Sequence, residues 1–107
     1  MAYDAELADR IRTLLADEPG LTEKAMFGGL GFMLDGHMAA AANSSGGLMV
    51  RADPAGPGDP LLFPMVMRGR EMAGWLQNDP DVPLTDADLS RLVGIGVAFV
   101  RTMPAKS

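Results

Sequence analysis

The residues best equipped for chemistry in this chain are a few cations set near glycines and aromatics. Lys24 precedes Phe27, Gly28, Gly29 and Gly31, and Arg51, Arg68 and Arg70 follow in apolar segments, with Trp75 just beyond. A guanidinium is a planar fork of N–H donors, so several converging on one spot would suit a carboxylate or phosphate. Lys24, Arg51 and Arg70 around the glycine-rich stretch are therefore the candidate anion contacts, with Phe27, Gly28, Gly29 and Trp75 as neighbouring binding candidates. The competing reading is that the arginines pair with the abundant acids or run their stems along a sheet.

Other chemistries fail on spacing. Gly28-Gly29-Leu30-Gly31 lacks the G-x-G-x-x-G or G-K-[ST] pattern and does not open a helix, so it is not a phosphate cradle. His37 is the sole histidine and stands in an Asp-Gly-His turn without a second base or ligand. Ser44 and Ser45 have no G-x-S-x-G elbow. Asp79, Asp81, Asp86 and Asp88 lack the twelve-residue calcium loop and read as turn and cap residues. No catalytic residue, metal ligand or cofactor site is assigned, and the chain is read as non-enzymatic.

The elements that must position the cations follow from pattern. Asp4 can cap a helix with Leu7, Ile11, Leu14 and Leu15 on one face, ended by Pro19-Gly20. Glycines at 28, 29 and 31 disfavour helix and favour extended chain. Leu30–Leu34 and Met38–Ala42 flank an Asp35-Gly36-His37 turn as a hairpin. Asn43 to Gly47 is turn chemistry before a strand at Leu48–Ala52. Asp53 to Pro60 holds three prolines and two glycines and reads as a surface loop. Met65–Arg68 and Met72–Leu76 form a second hairpin around Gly69-Arg70. Thr85 caps a closing helix with Asp86 and Asp88 in its first turn, Arg101 near its end and Pro104 beyond. Its apolar residues cover roughly 200° of the wheel, wider than a surface helix needs. Ile95, Val97 and Phe99 are accordingly the candidate interface residues.

The order helix, three strands, loop, two strands, helix predicts an α+β fold. It is a two-layer domain with an about five-stranded antiparallel sheet and both helices packed on one face. The 107 residues suit one domain spanning 1–107, with one core. Nine Lys+Arg against 14 Asp+Glu give a net charge of −5, which opposes broad binding to nucleic acid or anionic lipid. No secretory leader pattern and no apolar run long enough to span a membrane is present, which predicts a cytoplasmic protein. There is no cysteine, and nine methionines supply adaptable packing.

Two segments carry a family resemblance. Met26-Phe27-Gly28-Gly29-Leu30-Gly31-Phe32, preceded by Lys24, and Gly69-Arg70-Glu71-Met72-Ala73-Gly74-Trp75 together resemble the N-terminal domain of the TfoX/Sxy proteins, whose best-known members regulate natural competence. The resemblance spans about residues 5 to 104 and implies a two-layer architecture similar to type III secretion chaperones. It also implies a protein-interaction role in transcriptional or competence-type regulation. Relatives place an acidic, aromatic-containing helical segment between the motifs, where this chain has the Pro/Gly-rich connection. Competence regulators carry a further C-terminal domain, so the expectation here is limited to partner binding. The expected partners are a protein and, through the closing helix or the sheet face, a second copy as a homodimer. The alternative is a binder of an anionic metabolite or an uncharacterised enzyme.

Overall fold

The computed structural model describes residues 3–26, 28–56 and 58–104, apart from the side chain of Met67. The fold is α+β. Two helices, α1 (Ala5–Leu15) and α2 (Asp86–Val100), enclose in sequence the strands β1 (Leu21–Met26), β2 (Gly29–Leu34), β3 (His37–Ala42), β4 (Leu48–Arg51), β5 (Phe63–Met67) and β6 (Arg70–Gln77). The strands form one antiparallel sheet in the order β1-β2-β3-β4-β6-β5. It has six strands where the sequence predicts about five. The additional strand is β1, a largely exposed edge whose Thr-Glu-Lys-Ala core shows no alternation of apolar and polar residues.

Both turn predictions depend on left-handed backbone. Asp35 and Gly36 have φ of 52° and 87°, the paired positive values that a two-residue hairpin turn needs. The second hairpin turns at Arg68-Gly69, with φ of 55° and 79°, one residue earlier than the predicted Gly69-Arg70. The adjoining strands accordingly start earlier than predicted, at Phe63 and Arg70.

The core lies on one face of the sheet, beneath both helices. Leu30 and Phe32 of β2, Ala40 and Ala42 of β3, and Leu48 and Val50 of β4 form one buried cluster with Leu7, Ile11 and Leu15 of α1 and Leu89, Leu92 and Val93 of α2. Leu14 is 39% exposed and does not join the predicted apolar face of α1. Leu34, Ala39 and Val100 make a second, smaller cluster, against which Phe99 packs. The α2 helix approaches β3 so closely that a Cβ on Gly96 would stand 2.0 Å from the Ala39 carbonyl oxygen. Glycine at 96 therefore sets the interlayer distance.

Caps and ion pairs fasten the elements. The Asp4 side chain accepts from the amides of Glu6 and Leu7. Thr85 and Asp88 form a reciprocal capping box at the start of α2. Arg12 joins α1 to Glu23 of β1, Arg91 joins α2 to Asp59, and Arg101 reaches Glu18 and Asp35. Asn78 is the buried polar residue: its side-chain oxygen accepts from the Leu48 amide and its own amide donates to the Leu48 carbonyl.

Candidate functional site

Among the described residues, one sheet face has no helix packed on it. Cross-strand partners project to the same side, and Phe32, Ala40, Val50 and Leu76 lie in one directly paired row on the helix side. The alternating row, on the outer side, runs through all six strands as Lys24, Gly31, Ala41, Met49, Gln77 and Phe63. Beside it stands the Met33–Met38 pair, whereas the Arg51 side chain at the end of β4 turns toward Phe99 of α2. Met33, Met38 and Met49 are half-buried, and Phe63 is 53% exposed. Met38 folds its methyl over Gly31, where a Cβ would stand 2.9 Å from it.

Arg51 has the most elaborate surroundings of the predicted cations. Its guanidinium carbon lies 5.2 Å from the Trp75 ring centroid and 5.4 Å from that of Phe99, within cation–π range of both. The side chain thus links β6 to the end of α2. Gly74 has φ of 86°, and a Cβ there would meet the Ala52 carbonyl at 3.4 Å and Arg51 Nε at 3.6 Å, so bare backbone admits the guanidinium. Arg51 Nε is buried and has no acceptor among the described residues. Two shallow clefts adjoin this region. One, of about 250 Å³, lies between the Ala52–Gly56 corner and the Glu71–Leu76 stretch; the other, of about 320 Å³, lies between the same corner and Ile95, Ala98 and Phe99.

The remaining predicted site residues are dispersed. Lys24 is exposed on β1, three strands away from Arg51 on β4, and Arg70 is exposed at the start of β6. The three cations therefore do not converge around the glycines. Gly28 is an exposed turn residue with φ of 77°, and Gly29 is buried where a Cβ would stand 2.8 Å from the Ala42 carbonyl. Phe27 lies outside the described residues. Ile95, Val97 and Phe99 are half-buried against their own core instead of standing free on α2.

The polar residues that drew attention in the sequence have structural partners. His37 Nε2 is 2.7 Å from the Pro104 carbonyl. Ser45 donates to the Asn43 side chain, which also accepts from the Ser45 and Gly47 amides. Asp79 accepts from the Asp81 amide, and Asp86 pairs with Arg10. Hydrogen bonds from Arg91 hold the Asp59 carboxyl below its ordinary range, with a contribution from the Leu61 amide. The Thr85 bonds do the same for Asp88, as the Arg12 bond does for Glu23.

The model of the TfoX N-terminal domain matches residues 13–99. The chain belongs to that family. No curated protein and no solved structure matches it. In this TfoX N-terminal domain both motif segments fall within the matched range, and the geometry explains several of their members. Gly69 closes the β5–β6 turn, Gly74 admits Arg51, and Trp75 stacks on it. No local signal marks Phe99, twenty-four residues beyond Trp75, as the residue that completes this arrangement, because only the placement of α2 brings it there.

Proposed function

We propose that this TfoX N-terminal domain acts as a non-enzymatic protein-interaction module in transcriptional or competence-type regulation, with the outer sheet face as its docking surface. The observation that carries the reading is the continuous row from Lys24 to Phe63, which crosses six strands with no helix over it among the described residues. Methionine side chains conform to partners of different shape, and Phe63 offers an aromatic anchor at one end.

Tagged-protein capture from the native host tests this when wild type is compared with Met49→Gln on the outer face and Ser90→Glu on the exposed side of α2. Recovery of a polymerase component or transcription factor that falls with Met49→Gln and persists with Ser90→Glu is the expected result. Equal recovery by both variants overturns the docking surface, and capture of proteins unrelated to gene expression overturns the regulatory role.

The second reading, an anionic-metabolite binder, is favoured by the unpartnered Arg51 Nε and the adjoining clefts. Native mass spectrometry separates the two: a small acid retained by wild type and released by Arg51→Met supports the metabolite reading.

A further inference from the structure

The two tight hairpins of this sheet turn through left-handed backbone with different residues. The first uses Asp35-Gly36, residue types that tolerate two positive φ values. The second places Arg68 at φ 55° ahead of Gly69, a conformation that a long side chain seldom adopts and that Asn or Asp enters more readily. No ion pair within the fold accounts for that choice. Arg68 is exposed and has no acidic partner among the described residues, and the same holds for Arg70 on the other side of Gly69. A residue held against its backbone preference without a contact that explains it marks a candidate functional position. The hairpin also stands apart from the rest of the sheet. β4 accompanies β6 only from Gln77 to Gly74, so from Val66 through Ala73 the ribbon has no third strand among the described residues. A Cβ on Gly69 would meet nothing within 4 Å. Phe63 and Val66 on β5 are both more than half exposed, and Glu71 is the one acid between Phe63 and Gln77.

We propose that the β5–β6 hairpin holds an acidic segment of the partner protein, a step that rests on the interaction reading above and adds the chemistry of the partner. Carboxylates of that segment meet the guanidinium forks of Arg68 and Arg70, and its apolar side chains meet Phe63 and Val66. Phe63 to Arg68 spans about 16 Å, the length of five or six residues of extended chain. Phe63 also ends the outer row, so the hairpin continues the docking surface from that row. Exposed arginines beside exposed aromatic and aliphatic side chains have the composition of a protein interface centre. Nucleic acid and anionic lipid call for a broad basic surface, which two arginines on a chain of net charge −5 do not supply. Edge-to-edge pairing of β5 with a second copy is disfavoured, because Pro64 has no amide hydrogen to offer and the register shifts beside it.

The test uses the full chain labelled at its backbone amides and two synthetic peptides of about ten residues, long enough to cover the hairpin when extended. One alternates glutamate with leucine, and the other alternates lysine with leucine. The glutamate peptide is expected to shift the Val66, Gly69 and Arg70 amide signals saturably and to bind about tenfold or more tightly than the lysine peptide. Arg68→Asn is expected to weaken that binding about tenfold while the thermal midpoint holds or rises, because Asn suits the turn. Arg68→Lys, which keeps the charge, is expected to retain the preference for glutamate. Equal binding of the two peptides, no binding, shifts confined to residues outside the hairpin, or unchanged binding by Arg68→Asn overturns the proposal. Shifts that follow protein concentration alone overturn it in favour of a second copy. Failure of the glutamate peptide while capture of a native partner still depends on Met49 removes the acidic segment and leaves the interaction reading standing.

Discussion

Single residues carry much of the precision in this structure, and two glycines two residues apart on α2 show it. Gly94 is exposed on α2 with nothing within 4 Å of an added Cβ, whereas Gly96 would place one 2.0 Å from the Ala39 carbonyl. Gly94→Ala should therefore stabilise the protein by about 1 kcal/mol through helix propensity. Gly96→Ala should destabilise it by about 3 kcal/mol, the upper range for overpacking, since a backbone carbonyl cannot swing aside. Chemical denaturation of the two variants measures both, and equal midpoints would contradict the close helix-to-sheet approach. Close packing on β3 thus accounts for Gly96 and not for Gly94. Arg51 yields a second expectation. Arg51→Met should leave stability within about 1 kcal/mol of wild type, because loss of the cation–π contacts is offset by removal of a buried N–H without an acceptor. A loss of several kcal/mol in denaturant would contradict that balance.

At the scale of elements, ion pairs tie irregular segments to the helices. Arg91 of α2 holds Asp59 in the Pro/Gly-rich corner, Arg12 of α1 holds Glu23 of β1, and Asp88 completes the cap of α2. The carboxyls of Glu23, Asp59 and Asp88 all lie below their ordinary values when folded. Groups depressed in this way stabilise the fold fully above the ordinary carboxylate range, and the contribution is lost as pH falls through that range toward the folded values. The thermal midpoint should hold from neutral pH down to about 5 and fall below about 4. Asp59→Asn should flatten part of that decline, and an unchanged acid profile would contradict the role of its pairing with Arg91. The helices, their caps and the first hairpin were legible because capping residues, apolar spacing and Asp-Gly are local signals. The β1 strand was not, because its pairing with β2 is the main thing that makes its polar stretch extended. The tie between Asp59 and Arg91 was hidden for a related reason: its members are thirty-two residues apart and meet only after folding.

The whole molecule separates a helix-covered side, fastened by the ion pairs of Arg10, Arg12, Arg91 and Arg101, from a sheet face that carries Lys24, Met33, Met38 and Met49. Its net charge of −5 still governs long-range attraction, so the chain should bind random duplex DNA at physiological salt no better than about 10⁻⁴ M. Micromolar, salt-sensitive binding in a fluorescence titration would contradict this. The family was legible from two glycine-centred motifs, and the matched range bears it out. The outer face was not, since it exists only when register aligns residues from six strands. Methyl cross-saturation NMR on the complex with a captured native partner tests that face most directly. Transfer is expected from the partner to the Met33, Met38 and Met49 methyls, with none to Leu89, Leu92 or Val93 beneath the helices. Transfer centred on Ala98 and the exposed side of α2, with the three methionines silent, would contradict it.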